Sequence, residues 1–205
     1  SLHDALPILF VTAFDSAPLA PDYAFILKEE KQHFETGLKA LNKLTSGKVY
    51  VGISQRQPID VKNATSVIFD GPHPAGNVGI QINHIAPINK GDTVWTMSAL
   101  DVLFIGRLFD KGIADFSRIV AVTGSEIDNP HYVRTRIGAS IASITQGMVK
   151  AVEYEQRYIS GNVLTGVKTD ADGYIGATHS QITVIPEGNN YDEFLGWASL
   201  NPHKY

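Results

Sequence analysis

The spacing of apolar residues in the first half of the chain predicts strands that alternate with helices. Short apolar runs predict a buried strand at Ile8–Ala13 and further strands at Lys48–Ile53, Thr65–Phe69 and Thr93–Met97. An apolar stripe with helical spacing predicts an amphipathic helix over Asp22–Leu44. A capping box that begins at Ser98 predicts a second helix to Phe109, closed by Lys111-Gly112. A strand, a long helix and a strand in this order are typical of a parallel βαβ unit.

The pattern changes at about residue 115, after which short segments alternate with glycine and aspartate turns. Strands are predicted at Arg118–Gly124, His131–Gly138, Val163-Leu164, Tyr174-Ile175 and Gln181–Ile185, and a helix at Ala139–Glu155. We therefore predict an α/β domain over residues 8–114 and a smaller β-rich module over residues 115–205.

A turn rich in glycine and proline follows the strand that ends at Phe69, and it contains Gly71, Pro72, His73, Pro74, Gly76 and Gly79. Glycine carries no Cβ and tolerates positive φ, so such a turn can bring bare backbone amides close to a ligand or partner. The spacing matches neither the dinucleotide fingerprint nor the phosphate-binding loop of nucleotide hydrolases. Two interpretations stay open: the loop faces a phosphate, a flavin edge, a quinone or a partner, or it simply packs tightly against the sheet.

His73, held between two prolines, is the candidate for proton chemistry within this turn. Its imidazole could meet a quinone carbonyl or carry a proton near neutral pH, or it could be an ordinary surface residue of the turn. The spacing identifies no carboxylate partner for it, and His73 with His84 lacks a third ligand for a metal ion. We therefore assign no catalytic residue and no metal site from the sequence.

Tyr132, Arg134 and Arg136 alternate with other residues along one predicted strand, so they share one of its faces. Guanidinium groups on such a face could bind an anion or contact another subunit. The solvent-exposed face of an antiparallel sheet would show the same alternation. Asp15 and Asp22 flank the loop after the first strand, where α/β folds bind ligands, although Asp22 is more simply a helix N-cap.

Composition excludes several classes of protein and site. The net charge of −4 and the pI near 5.9, without a basic run, argue against nucleic-acid binding. The lack of cysteine excludes disulfides, thiolate zinc sites and iron–sulfur clusters ligated by this chain. The most apolar stretch, residues 100–109, is interrupted by polar residues and too short for a membrane span, so no transmembrane helix is predicted.

Several segments carry a family resemblance that runs from about Ile8 to the end of the chain: Leu9–Asp15, Leu44–Val49, Gly71–Gly76, Thr93–Trp95, Val133–Ser140, Ile159–Leu164 and Gly196-Trp197. The Gly-Pro-His-Pro-Ala-Gly and Val-Arg-Thr-Arg motifs are the most specific of them. Together the segments resemble a middle fragment of the A-subunit of the Na+-translocating NADH:quinone reductase, a bacterial respiratory complex. That protein is distantly similar to the flavoprotein subunit of respiratory complex I.

The resemblance implies a Rossmann-like α/β domain followed by a small β-grasp domain of the soluble-ligand-binding type. It also implies a peripheral subunit on the cytoplasmic face of the bacterial inner membrane, docked to membrane subunits. Such a subunit would support electron transfer from NADH to ubiquinone coupled to Na+ export. Flavins, iron and NADH would be used through other subunits. The complex I relative holds flavin and NADH on a glycine-rich loop with acidic residues, which Ala13–Pro18 lacks, so we expect this chain to bind no redox cofactor.

An alternative function stays open, that of a stand-alone module which binds a soluble small molecule or a glycan. The two functions differ in partnership, because only the first requires membrane subunits. Residues 1–7 lack the features of a signal peptide and look like translated adapter sequence, so we leave them out of the fold prediction as non-native or disordered.

Overall fold

The computed structural model describes residues 7–189. Residues 1–6, within the segment expected to be non-native, and residues 190–205, which include Gly196-Trp197, lie outside the described residues. The first group of elements is β1 (Ile8–Thr12), α1 (Tyr23–Lys28), α2 (Lys31–Leu44), β2 (Val49–Ser54), β3 (Thr65–Phe69), α3 (Val78–Ile85), β4 (Val94–Ser98) and α4 (Ala99–Lys111). The second group is β5 (Ser117–Thr123), β6 (His131–Arg136), α5 (Ile141–Ile144), β7 (Gln156–Ser160), β8 (Val167–Thr169) and β9 (Gln181–Pro186).

The first group forms a parallel sheet with the strand order β3-β2-β1-β4. Helices α2 and α4 cover one of its faces, where the main apolar core lies. The core includes Leu9, Val11, Phe34, Leu38, Leu41, Val49, Val51, Val102 and Leu103. The two helices pack closely because Gly37 lies against the Val102 carbonyl and Gly106 against the His33 carbonyl, where a Cβ would not fit.

Helix α3 covers the opposite face of the same sheet. Its Gln81 is 1% exposed and lies so close over Gly52 of β2 that a Cβ on this glycine would overlap the glutamine side chain. On the same face Phe10 and Tyr50 stack with ring centroids 5.6 Å apart. Alternate residues of the central strands therefore face two different layers, as in a three-layer α/β domain.

The second group forms a mixed sheet with the strand order β6-β5-β9-β7-β8. Its first and last strands, β5 and β9, are parallel neighbours in the centre, and the other pairs are antiparallel. Val120, Val122, Ile141, Ile182 and Val184 form its apolar core. A first hairpin, a crossing helix and a last strand that returns beside the first are the topology of a β-grasp domain. The expected fold class, Rossmann-like α/β followed by β-grasp, is confirmed.

Local capping signals in the sequence are confirmed. The Asp22 side chain accepts a hydrogen bond from the Phe25 N–H at the start of α1. At the start of α4 the Ser98 hydroxyl accepts one from the Asp101 N–H, which completes the capping box. Gly112 ends α4 with a left-handed φ of 71°. These signals depend on residues close in sequence, which explains why they can be recognised without the fold.

The single helix predicted over Asp22–Leu44 is wrong, because the chain breaks between α1 and α2. Glu30 leaves helical geometry at the break, with φ of −107° and ψ of 12°. Its carboxylate accepts two hydrogen bonds from the guanidinium of Arg107, which is 2% exposed. The helix is therefore interrupted at a residue that contacts a side chain 77 positions away.

The helix predicted over Ala139–Glu155 is also wrong, since only the short α5 forms there. Gly147 adopts a left-handed φ of 71°, and Met148 accepts a backbone hydrogen bond from Asp128. Ile141, Ile144 and Met148 are buried at helical spacing, but they reach the core along a turn. Their helical spacing therefore predicted a longer helix than the one that forms.

The strand predicted at Val163-Leu164 is wrong, and three elements were missed. The Asn162 side chain accepts hydrogen bonds from the Leu164 and Thr165 N–H groups, so this segment is a turn. At Tyr174-Ile175 the structure has a single bridge between Ser140 and Tyr174. The missed elements are α3, β7 and β8.

Candidate ligand-binding cleft

An open cleft of about 360 Å³ lies at the carboxyl ends of β1 and β4. The chain passes from β1 to β2 on one side of the sheet, whereas β4 flanks β1 on the other side. The strand order therefore reverses between β1 and β4, and open α/β sheets bind ligands at this point. Asp15, just after β1, and Ser98, the last residue of β4, line the cleft.

The glycine loop forms one wall of the cleft. Gly76 is buried, its N–H donates to Ser16 Oγ at 2.8 Å, and a Cβ here would lie 2.5 Å from the Ser16 backbone nitrogen. Gln81 Nε2 donates to the Gly76 carbonyl at 3.3 Å and thereby ties the loop to α3. Tight packing of the loop therefore accounts for Gly76. Gly79 also lines the cleft, but no atom lies within 4 Å of a Cβ placed on it, so it faces open space.

The other predicted residues of the loop divide into two groups. His73 is half-buried, lines the cleft and has its Nδ1 atom 3.1 Å from Ser16 Oγ. Gly71, Pro72 and Pro74 are exposed and do not line the cleft. The Pro72 carbonyl accepts from the Ala75 N–H, which forms the turn that presents His73.

Asn162 and Thr165 of the second group of elements complete the cleft, and sequence reasoning did not single them out. They lie in the turn between β7 and β8, where Asn162 Oδ1 accepts from the Thr165 N–H at 2.9 Å. Asn162 belongs to one of the motifs that carry the family resemblance, which was the available signal. Both parts of the chain therefore contribute to one cleft.

The cleft has a mixed polar and apolar lining, and its charged side chain is the carboxylate of Asp15. Asp15 Oδ1 accepts from the Ala17 N–H at 2.8 Å. Tyr23 lines the cleft at 7% exposure, and burial raises the pKa of its phenol, which is hydrogen-bonded to Ser180. Among the described residues neither lysine nor arginine lines the cleft. The arrangement suits an uncharged ligand with hydrogen-bonding oxygens better than a phosphate.

The face with Tyr132, Arg134 and Arg136 lies away from the cleft. The Tyr132 hydroxyl accepts from the Asp22 N–H at 2.8 Å, and its ring stacks on Phe25 at 4.7 Å. Arg134 lies 3.6 Å from the Glu30 carboxylate, while Arg136 is exposed. Part of this face thus joins the second sheet to α1 within the chain. Its role as a contact with another subunit stays a prediction.

Burial of Glu30 acts to raise its pKa, but hydrogen bonding and charge from Arg107, with smaller help from Arg134, lower it below the usual value. Arg107 also donates to the Asp115 and Ser117 carbonyls. One ionised carboxylate therefore holds two guanidinium groups at the junction of the two sheets.

Two further findings concern residues 7–189 only. No group of three or more histidine, aspartate or glutamate side chains in this range is placed to hold a metal ion. In the same part of the chain, none of the helices combines the length and the apolar character needed to cross a membrane.

The fold of the chain, with both of its sheets, resembles part of two solved structures. Chains in crystal structures of an NAD+-reducing [NiFe]-hydrogenase match with a TM-score of 0.60 in the H2-reduced state and 0.60 in the air-oxidised state. The identities are 7% and 10%, and the matches cover 89% and 90% of this chain and 41% of each hydrogenase chain. At such low identity the likeness concerns the fold alone.

Sequence comparison adds much closer relatives. The family model described as the NqrA second alpha/beta domain matches residues 3–114, and the one described as the NQRA C-terminal domain matches residues 119–171. The A-subunit of the Na+-translocating NADH-quinone reductase of Neisseria meningitidis is 41% identical over 98% of this chain and 46% of its own length. The protein of that name from Hahella chejuensis is 42% identical over 96% of this chain and 44% of its own length. The chain thus spans less than half the length of these relatives, and it belongs to the NqrA family, the A-subunits of the Na+-translocating NADH-quinone reductases.

Proposed function

We propose that this chain acts within the NqrA component of a Na+-translocating NADH:quinone reductase and supports electron transfer from NADH to ubiquinone coupled to Na+ export. The observation that carries the proposal is 41% identity over 98% of the chain to a relative that bears this name. In this proposal the chain is peripheral, lies on the cytoplasmic face of the bacterial inner membrane, and has the other subunits, above all the membrane subunits, as partners.

The chain itself holds no redox cofactor in this proposal. A phosphate is held best where backbone amides act together with cations, and among the described residues neither lysine nor arginine lines the cleft. The Ala17 N–H is taken by Asp15, and the Gly76 N–H is taken by Ser16. Phe14, which also lines the cleft, is 5% exposed and stacks on Phe69. A phosphate in the cleft would meet the Asp15 carboxylate, so flavins and NADH are left to other subunits.

The cleft is the place where the chain meets a quinone or a segment of a partner subunit. Its volume of about 360 Å³ falls within the range of small-molecule pockets. His73 offers a ring nitrogen to a carbonyl oxygen, and the first turn of α3, from Val78 to Gly79, offers backbone N–H groups. These groups hydrogen-bond neutral oxygen atoms without requiring a negative charge.

A chimeric complex tests the proposal. The matching segment of the Neisseria meningitidis NqrA protein is replaced by this chain, and the complex is purified through a tag on a different component. We expect the chimera to co-purify with that tagged component and to reduce ubiquinone with NADH in a Na+-dependent manner. A chain that never joins the complex and elutes as a free monomer would favour the stand-alone binding module instead.

Two variants of the chimera test the cleft separately. His73→Ala is expected to raise the KM for a short-chain ubiquinone about fivefold, because it removes one hydrogen bond to a bound ligand. Lys43→Ala, on the exposed side of α2, is the matched control and should leave KM unchanged. Equal KM values in both variants would refute the proposed quinone contact. They would not affect the proposal that the chain belongs to the complex.

A further inference from the structure

Three groups meet at the wall of the cleft in a closed arrangement. Ser16 Oγ lies 2.8 Å from the Gly76 nitrogen and 3.1 Å from His73 Nδ1. The Gly76 N–H can only donate, so it takes one lone pair of the hydroxyl oxygen. Gln81 holds the other side of the same loop through the Gly76 carbonyl, which fixes the loop against the serine.

Counting protons favours one of the two neutral states of the imidazole. A hydroxyl has one proton to donate, and a neutral imidazole carries its own proton on either Nδ1 or Nε2. Among residues 7–189, His73 Nδ1 is the atom in contact with the Ser16 hydroxyl that can accept the hydroxyl proton. If the hydroxyl donates to Nδ1, every group in the arrangement is satisfied, and the proton of the ring must lie on Nε2. If Nδ1 carried the proton, the hydroxyl of the half-buried Ser16 would have to donate its proton outside this arrangement, to water.

We propose that Ser16 is a positioning residue that fixes the Nε2–H tautomer of His73, so that the cleft presents a hydrogen-bond donor to a carbonyl oxygen. With Nδ1 held by the serine, Nε2 is the ring nitrogen left for a ligand in the cleft that His73 lines. The ligand half of this inference rests on the proposed quinone contact, whereas the tautomer does not. A donor aimed at a carbonyl suits a quinone headgroup and not a cation.

The second sheet provides an internal control for this geometry. Ser160 Oγ lies 2.7 Å from His179 Nδ1 and accepts from the Gly176 N–H at 2.9 Å, so the same three groups recur. The same proton count places the ring proton of His179 on Nε2. This second pair does not line the cleft, so it can report the effect of the serine without any effect of a ligand.

Nuclear magnetic resonance of the 205-residue chain labelled with ¹⁵N in histidine tests the tautomer. Long-range proton–nitrogen spectra distinguish a protonated ring nitrogen from an unprotonated one, and His73→Asn identifies the signals of His73. We expect an unprotonated Nδ1 and a protonated Nε2 in the wild-type chain. Ser16→Ala should shift both nitrogens towards the values of exchanging tautomers, while Ser160→Ala should change the signals of His179 alone. A protonated Nδ1 in the wild-type chain would overturn the inference, even if Ser16→Ala did not fold.

A titration with a short-chain ubiquinone separates this inference from the proposed function. We expect the quinone to shift the Nε2 signal of His73, and Ser16→Ala to weaken its binding about threefold, because a smaller fraction of the rings presents the donor. Ser160→Ala should leave the affinity unchanged. The expected tautomer with no response to quinone would support the positioning role of Ser16 and refute the proposed quinone contact. An unchanged affinity in Ser16→Ala, with quinone bound at His73, would overturn the link between the serine and the ligand.

Discussion

In each of the two parts of the chain, a serine hydroxyl accepts a hydrogen bond from a glycine N–H and contacts the Nδ1 atom of a histidine. The two histidines have different surroundings. His73 lies on a loop at the open cleft, which is also lined by Gly79, where no atom lies within 4 Å of an added Cβ. His179 lies between Gly161 and Gly176, so close to both that a Cβ would stand 3.3 Å and 2.7 Å from its ring. Both histidines are half-buried, and the same local hydrogen bonding is thus combined with a ring that lines the cleft in one case (the accessible ring) and a ring packed between two glycines in the other (the enclosed ring).

The comparison teaches that the hydrogen bonds set the orientation of a ring, whereas the glycines around it decide what the ring can touch. Around His179 the glycines bring backbone against the ring itself. Beside His73, Gly76 instead brings the loop against Ser16 and leaves the ring free to face the cleft. A functional site is therefore recognised from the space beyond the pair and not from the pair.

Adding one methyl group to Gly76 should have the largest effect on this comparison. A Cβ at Gly76 would lie 2.5 Å from the Ser16 backbone nitrogen, and backbone cannot move aside as a side chain can. We expect Gly76→Ala to lower the free energy of unfolding by about 3 kcal/mol, at the upper end for overpacking. Gly79→Ala is the matched control: it has open space around it and lies in α3, so it should raise stability by about 0.5–1 kcal/mol. Urea unfolding of both variants measures the difference, and equal effects would contradict this account of the loop.

Removing the two serine hydroxyls should separate the enclosed pair from the accessible one. Ser160 is 4% exposed, so water cannot readily take the place of its hydroxyl, and Ser160→Ala should cost about 2 kcal/mol through the lost bond to the Gly176 N–H. Ser16 is half-buried, and water can replace its hydroxyl, so Ser16→Ala should cost about 1 kcal/mol or less. Chemical unfolding provides both values. A larger loss in Ser16→Ala would reverse the assignment of the two environments.

The parts of this fold that could be predicted depend on residues close in sequence. The strands of the first sheet and the Ser98 capping box have local signals, and the structure confirms them. The break before α2 could not be predicted, because Glu30 at the break contacts Arg107 of α4, a helix that is close in space but far away in sequence. The place of Asn162 in the cleft could not be predicted either, because it depends on how the second group of elements packs against the first.

The glycine loop shows the same limit within a single motif. Its composition indicated a close approach of backbone, and Gly76 makes one, but the partner is the Ser16 loop of the same chain. His73 lines the cleft, whereas Ser16, which contacts its ring, lies 57 positions away and could not be paired with it from the sequence. Contacts of that kind are properties of the folded chain.

The enclosed histidine should also make stability depend on pH. Burial lowers the pKa of His179 from its ordinary value of 6.5, and the charge of Arg118 lowers it further. The unfolded chain therefore binds this proton more readily, so stability should fall as the pH decreases from about 6.5 towards the lower folded value. His179→Asn should reduce that slope in thermal unfolding measured between pH 7 and 5. Glu187, whose pKa is lowered to about 2 by Arg157 and Lys168, loses its contribution only below about pH 4.5, outside that window. An unchanged slope in His179→Asn would show that other groups cause it.

Small effects on stability are expected on β6, the strand of the second sheet whose Tyr132 packs against α1, and they show how far this contact holds the two parts of the chain together. Tyr132→Phe removes the acceptor of the Asp22 N–H but keeps the ring on Phe25, so it should cost about 1 kcal/mol. Arg136 is exposed on the same face, so Arg136→Ala should change the free energy of unfolding by less than about 0.5 kcal/mol. If this face also contacts a partner protein, Arg136→Ala should weaken assembly of the chimeric complex while the isolated chain unfolds like the wild type. Normal assembly of the Arg136→Ala complex would show that this face makes contacts only within the chain. The unchanged stability of the isolated chain excludes unfolding as the reason for either result.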